Sequence, residues 1–303
     1  MIALLQIFAN NLLPILLLAG AGFLVGKVLK LDPRPLGRVI FYIFAPLLIF
    51  NLLTQSQLSF GELIRMMGFA ATNMLIVAGL AFLAGKLLHL KGSLLSVVVL
   101  TSVFTNSGNY GLPLVSFTFG QEALAYASIY FSTSNILFYT IGVLIASAGH
   151  LRPKEALLGL LKVPAIYAII LAMIFIRTGW VLPEPLERTV SLAAGATIPA
   201  MLVLLGLELQ RTEWSRNLRA LGLPAFLRLV VGPFVALGVS ALFGLQGPAR
   251  QAGITEAGMP TAVMTTVLAT EYNLEPSLVT AIIFINTILS PLTLTPLLYF
   301  LGR

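Results

Sequence analysis

The first of two short polar segments that interrupt long apolar runs is residues 105–113, TNSGNYGLP. Its glycines and asparagines lower helix propensity, and its proline removes a backbone donor, so we expect the helix to break here. A half-helix that begins after Pro113 would direct free N–H groups and a positive dipole end toward the break, which favours an anion. A proline kink that only shapes packing is the alternative. The predicted substrate-binding residues of this segment are Asn106, Ser107, Asn109, Gly111 and Pro113.

The second polar segment, residues 255–261, reads TEAGMPT and carries an acid. Glu256 is the only acid that we place deep in a predicted span. A carboxylate inside a membrane is costly unless it is paired, protonated or bound to a cation. We therefore interpret Glu256 as a coupling site that exchanges H⁺ or binds Na⁺; an ion pair with Arg228 that only joins two helices is the alternative. The predicted substrate site is completed by Gly258, Pro260 and Thr261.

Further polar side chains interrupt the apolar runs. Ser128 and Ser132 are four residues apart on one helix face, and with Asn106 they are candidate oxygen ligands for a hard cation such as Na⁺. Hydroxyls in membrane helices commonly bond to the backbone instead. Arg228 either extends to the membrane interface or faces the cavity and balances the charge of an anion.

The composition of the whole chain predicts an integral membrane protein. The chain has 303 residues, of which 58% are hydrophobic and only 10% charged, against about 25% charged in soluble domains. Uncharged apolar runs long enough to cross a bilayer follow one another, and by length we count about ten spans. The absence of Cys excludes a disulfide scaffold or a thiol nucleophile. Basic residues that punctuate the runs form no patch, so we expect no nucleic-acid partner.

Basic residues also predict the orientation, because cytoplasmic loops are enriched in Lys and Arg. With the N-terminus outside, 12 of the 18 Lys and Arg fall in inner loops and five on the outer side, with Arg228 inside a span. We therefore expect both termini to be extracytoplasmic, in a plasma membrane or bacterial inner membrane.

An internal repeat divides the chain into residues 1–148 and 149–303. Pro14 pairs with Pro164 and Pro33 with Pro183, each 150 residues apart, whereas Pro113 pairs with Pro260 at a spacing of 147. Each half would contain five spans, an odd number, so the second half enters from the opposite face. Inverted repeats with helices broken at corresponding positions are typical of secondary transporters whose site lies at the midplane.

The sequence resembles the auxin efflux carrier family, and in particular its bacterial branch. The resemblance covers essentially the whole chain and rests on residues 106–113, on RLVVGP at 228–233, and on GMP at 258–260 running to EYN at 271–273. It implies an all-α fold of ten transmembrane helices in which broken helices four and nine cross. Asn106 matches the family's substrate-contacting Asn, and Pro113 and Pro260 match its crossover prolines.

The resemblance also implies how the protein moves. A scaffold from residues 8–54 and 157–207 would form a homodimer, and a transport domain from residues 63–148 and 219–303 would move as an elevator. One departure is the third span, where residues 71–73 read ATN in place of the acid of plant carriers. In contrast, EAGM at 256–259 is similar to a motif of the related bile-acid sodium symporters whose Glu binds Na⁺.

We therefore expect a secondary transporter of a small organic anion such as a carboxylate, surrounded by membrane lipid and coupled to Na⁺ or H⁺, with no cofactor. The anion would lie near the two breaks, and Glu256 would exchange the cation. A cation/proton antiporter is an alternative, although no Asp lies in any predicted span. A membrane sensor that uses the same cavity is another. An intramembrane enzyme is not expected, because the spans contain no His, no metal-ligand cluster and no nucleophile turn.

Overall fold

The computed structural model describes residues 2–56, 58–147, 161, 163–212 and 218–302, with the side chains of 218–220 left undescribed. Regular structure in these ranges is helical, apart from one isolated antiparallel bridge between Thr105 and Thr261. The predicted limit between the two repeats, at 148 and 149, lies outside the described residues.

Seven helices of the described chain are long and apolar enough to cross a membrane. We name them with the shorter helices in chain order. The long ones are α1 (Ile2–Leu29), α2 (Arg34–Gln55), α3 (Phe60–Leu87), α5 (Ser107–Ala146), α7 (Glu184–Leu209), α8 (Leu221–Leu242) and α11 (Pro276–Leu301). The shorter ones are α4 (Gly92–Val103), α6 (Pro164–Thr178), α9 (Gly247–Ala257) and α10 (Thr265–Glu271).

The number of long helices differs from the ten predicted spans for a physical reason. The polar breaks end α4 after 12 residues and α9 after 11, so neither spans a bilayer alone. In addition, α5 continues through Gly120, where φ is 80° and ψ is −166°. Glycine adopts this conformation without a Cβ clash, and the chain changes direction there, three residues before the uncharged apolar run that begins at Ala123.

Proline explains most of the local irregularities within the long helices. Its ring clashes with the carbonyl four residues earlier and it lacks an N–H, so a helix that retains it must widen or kink. Four widened π-helical turns end two residues before a proline. These turns and their prolines are Phe8–Leu12 with Pro14, Ile40–Phe44 with Pro46, Ser107–Gly111 with Pro113, and Leu227–Val231 with Pro233.

Helices α1 and α7 pack at very short range through glycine. A Cβ at Gly206 would fall on the backbone of Ala19 and Phe23, and one at Gly22 would fall on the carbonyl of Val203. Small residues permit such close backbone approach between membrane helices. Leucines of this pair and of α11 bury Tyr110 in the first turn of α5, so α1 and α7 lie beside the break at 104–106.

Candidate functional site

The two interruptions lie against each other and satisfy each other's backbone groups. The amide of Asn106 donates to the carbonyl of Pro260 at 2.7 Å, and the amide of Ala262 donates to the carbonyl of Phe104 at 2.8 Å. Unwound backbone inside a membrane must find such partners or line a cavity. A pair of short extended segments, each flanked by half-helices, therefore forms the centre of the site.

Arg228 joins the ends of the half-helices that lead into this crossing. Its side chain is buried, with the residue 1% exposed. The guanidinium donates to the carbonyls of Ser102 at 2.7 Å and Val103 at 3.0 Å, at the end of α4, and to the carbonyl of Ala257, at the end of α9. Helix C-termini carry partial negative charge and unpaired carbonyls, which a cation stabilises.

The interpretation of Arg228 as an interfacial anchor is therefore wrong, because its charged group is fixed between two half-helices and not extended toward the interface. It does not line the cavity either. Gly232, one turn later, provides the space: a Cβ there would lie 2.5 Å from the guanidinium Nη2.

A cavity opens beside the crossing and is lined by three of the predicted substrate-binding residues, Asn106, Ser107 and Asn109. Its empty space, including the mouth, is about 420 Å³. Asn106 is 5% exposed, and its side-chain Nδ2 has no hydrogen-bond partner among the described residues. A buried amide donor without a partner is costly, so this nitrogen is poised to bind an acceptor.

The rest of the cavity wall comes from residues that sequence reasoning did not select. Phe131, Ser134, Asn135 and Phe138 follow one another at helical spacing on α5, and this periodicity was a readable signal for one shared face. Phenylalanine rings thus face the amides of the break. The other newly found lining residues are Phe104, Gly108, Ala262, Val263 and Met264.

Glu256 is fully buried on α9 and lies against the start of α5. A Cβ at Gly111 would overlap the Glu256 carboxylate, so this glycine is what admits the acid. Neither carboxylate oxygen has a hydrogen-bond partner among the described residues. The ion pairs found in these residues do not include Glu256 or Arg228, so the alternative of an ion pair between the two has no support in the structure.

Ser128 and Ser132 are buried on α5, but their hydroxyls are used locally. Ser128 Oγ donates to the carbonyl of Ala125, and Ser132 Oγ to that of Ser128, both at 2.7 Å. This is the backbone bonding that membrane hydroxyls commonly make. Each hydroxyl oxygen keeps its acceptor capacity, yet the contacts do not place either serine at Glu256.

The half-helix predicted to begin after Pro113 begins earlier in the structure. Helical turns resume at Ser107, six residues before Pro113, so that the widened turn Ser107–Gly111 precedes the proline. After Pro260 the chain stays irregular until α10 begins at Thr265. The amides that face the cavity thus belong to the first turn of α5.

The remaining predicted residues hold the crossing together and do not line the cavity. Thr261 Oγ1 donates to the carbonyl of Thr101 at 2.6 Å and accepts from Asn286 Nδ2 at 2.8 Å. Gly258 packs where a Cβ would lie 2.9 Å from Leu297 Cδ2. The cavity-lining residues include none of Gly111, Pro113, Gly258, Pro260 and Thr261.

A second acid, which sequence reasoning missed, reaches the site. Glu208 lies in the last turn of α7, and its Oε2 accepts a hydrogen bond from Asn109 Nδ2 at 3.1 Å. The uncharged apolar run that predicts this span covers residues 189–207, so it stops one residue before Glu208. The sequence contained a sign of this, because Glu208 follows the apolar run directly and helix ends are uncertain by one or two residues.

Comparison with known proteins identifies the family. A family model described as "Membrane transport protein" matches residues 7–153 and 148–298 of the chain. The chain belongs to this family. It is therefore an integral membrane transporter, not an enzyme.

Relatives of this membrane transport protein agree with the resemblance to auxin efflux carriers, which is confirmed. An uncharacterized transporter of Methanothermobacter thermautotrophicus is 28% identical over 94% of the chain and 95% of that protein. A putative malonate transporter of Rhizobium meliloti is 26% identical over 95% of the chain and 93% of that protein. Auxin efflux carrier component 1 of Arabidopsis thaliana is 31% identical over 43% of the chain and 21% of that protein.

Proposed function

We propose that this protein is a secondary transporter that carries a small organic anion, such as a carboxylate, across the plasma or bacterial inner membrane by alternating access. The observation that carries the proposal is the unpartnered Asn106 amide, which lines the cavity at the point where two half-helices meet. The first turn of α5 adds backbone N–H groups and a positive dipole end beside it.

Neutral donors suit a carrier for a physical reason. Amides and a helix terminus bind a carboxylate by hydrogen bonds, and the empty site keeps no fixed positive charge on the cavity wall. Among the described residues, the cavity lining is composed of apolar and neutral polar side chains. An empty carrier of this kind can return without an internal counter-ion. The similarity to the putative malonate transporter of R. meliloti supports the same class of substrate.

Cation coupling would take place at Glu256. A fully buried carboxylate without a partner is stable only when it is protonated or bound to a cation. We propose that it alternates between those states as H⁺ or Na⁺ accompanies the anion. Na⁺ would use the carboxylate oxygens, and the oxygens of Ser128, Ser132 and Asn106 are the further ligands proposed for it.

The larger arrangement proposed for the molecule is an inverted repeat of five plus five spans with both termini extracytoplasmic. Residues 8–54 and 157–207 would form the scaffold of a homodimer. Residues 63–148 and 219–303 would form an elevator domain that carries the crossing through the membrane. The close glycine packing of α1 on α7 supports a rigid scaffold.

The test begins with a thermal-shift screen of mono- and dicarboxylates, malonate included, on the purified protein, because a ligand that binds only the native state raises its stability. Uptake of the stabilising anions into proteoliposomes follows, for the unsubstituted protein, Asn106→Ala and the control Asn51→Ala on α2. We expect Asn106→Ala to weaken anion affinity by about 10- to 100-fold, the loss of one charge-assisted hydrogen bond, with folding and the control unchanged. Unchanged uptake by Asn106→Ala would contradict the proposed site.

A further inference from the structure

The hydrogen bond between Glu208 and Asn109 joins two elements that the proposed transport cycle must separate. Asn109 is in the first turn of α5 and lines the cavity. Glu208 is in the last turn of α7, one residue beyond the proposed scaffold limit. The bond spans 99 residues of sequence, so it exists only because of the tertiary fold.

The position of Glu208 is unfavourable for its own helix and favourable for the neighbouring one. An acid in the last turn of a helix has the wrong sign for the helix dipole, whereas an anion at the first turn of a helix has the right one. The Glu208 carboxylate therefore lies at the favourable end of α5, outside the cavity lining, and it holds Asn109, which is one of the lining residues.

Other charged groups on the elements around Glu208 are engaged or exposed. Arg211, two residues after the end of α7, forms an ion pair in which its Nη1 lies 3.1 Å from Asp32 Oδ1. The basic residues of α1, α2 and the turn between them are exposed, and the Tyr110 hydroxyl of the crossing turn is 3.4 Å from Ser290 Oγ. The side-chain partner found for Glu208 in the described chain is the Asn109 amide. The exposed basic residues are Lys27, Lys30, Arg34 and Arg38.

We propose that Glu208 is a proton-released latch: its ionised carboxylate holds the Asn109 amide against α7 and limits how far the cavity can widen, and a proton from solvent releases it. This inference rests on the proposed function, since it assigns a regulator to the same site. A hydrogen bond to an ionised acceptor is roughly twice as strong as one to a neutral acceptor. Protonation of Glu208 therefore weakens its hold on Asn109 and frees this amide for an anion in the cavity.

The latch predicts a pH-dependent widening of the cavity that can be observed without substrate. The natural chain contains no Cys, so one thiol introduced at Ser134, which lines the cavity and is 6% exposed, reports opening through its rate of maleimide labelling. Ala262→Cys, in the same lining, is a second reporter should Ser134→Cys fold poorly. Rates are compared between variants at equal pH, so that thiol ionisation cancels.

Glu208→Gln keeps the shape and an acceptor oxygen but cannot ionise. At pH 9 we expect it to label about fivefold faster than the Glu208 protein, the difference between a charge-assisted and a neutral hydrogen bond. At pH 5 the two rates should converge. Glu187→Gln, an exposed acid on the same helix, is the matched control and should label like the unsubstituted protein at both pH values.

A double variant separates the latch from a general loosening of α7. In an Asn109→Ala background the latch is already absent, so Glu208→Gln should add no further increase. An effect of Glu208→Gln that is equal at pH 5 and pH 9, or that persists beside Asn109→Ala, would overturn the latch. Because labelling uses no anion, these outcomes are independent of whether Asn106→Ala alters uptake, and each proposal can fail alone.

Discussion

The absence of a side chain at Gly111 makes room for the buried acid Glu256. The acid lies where any Cβ at position 111 would be, and its oxygens have no partner in the described chain. Arg228 differs, because its guanidinium donates hydrogen bonds to three backbone carbonyls. The two buried ionisable groups of the crossing are thus accommodated separately: Gly111 leaves room for Glu256, and backbone carbonyls accept hydrogen bonds from Arg228.

Gly111→Ala should lower the stability of the protein by about 1–3 kcal/mol, the usual cost of overpacking a filled interior. The melting temperature of the purified protein measures it. Gly79→Ala on α3, where an added Cβ meets nothing within 4 Å, is the control and should be neutral or slightly stabilising. Removing the acid as well, in Gly111→Ala with Glu256→Ala, should restore part of the loss; a double variant no better than the single one would contradict the direct overlap.

The half-helices α4 and α9 both end at the crossing. The crossing itself consists of two irregular segments, residues 104–106 and 258–264. Their ends are fixed from three directions. Arg228 of α8 holds the C-termini of both, Thr261 binds the carbonyl of Thr101, and Asn286 of α11 supports Thr261. Hydrogen bonds consequently hold the crossing together as one unit, and the pair of helices α1 and α7 packs beside it.

Gly206→Ala should disturb the packing of α7 on α1, because its Cβ would overlap the backbone of α1. Backbone cannot rotate away as a side chain can, so we expect a loss of about 2 kcal/mol or more in stability, read as the melting temperature in detergent. Gly195→Ala, on the same helix with open space around it, should show no loss. Equal melting temperatures for the two variants would mean that α1 and α7 separate without cost.

The whole molecule is proposed to work as a coupled carrier, in which movement of the crossing links an anion to a cation. Glu256→Gln is uncharged and nearly isosteric, so it should fold and still bind the anion, but it should lose dependence on an imposed Na⁺ or H⁺ gradient. Uptake into proteoliposomes with and without each gradient measures this. Glu271→Gln, an exposed acid at the end of α10, should keep the dependence, and a Glu256→Gln protein still driven by either gradient would exclude Glu256 from coupling.

Local chain properties determined much of this molecule in advance. Long apolar runs require helices that bury their backbone hydrogen bonds in a bilayer, so membrane residence followed from composition. The described residues contain seven long helices, whereas about ten spans were predicted. Proline, glycine and asparagine act on their own turns, so interruptions within 105–113 and 255–261 were predicted. The structure limits the first to residues 104–106 and extends the second to 264. Glu256 was recognised because burial of any acid in an apolar run is costly wherever the run packs.

Tertiary structure decided which groups meet. Arg228 and Ser102 are 126 residues apart, and Asn109 and Glu208 are 99 apart; no local preference distinguishes such partners from others. The sequence could not tell that Arg228 binds carbonyls while Glu256 lacks an ion-pair partner among the described residues, nor that Ser128 and Ser132 satisfy their own helix. Side-chain hydrogen bonds act over about 3 Å, so only the packing of distant helices selects them, and the cavity with its phenylalanine wall arises from the same packing.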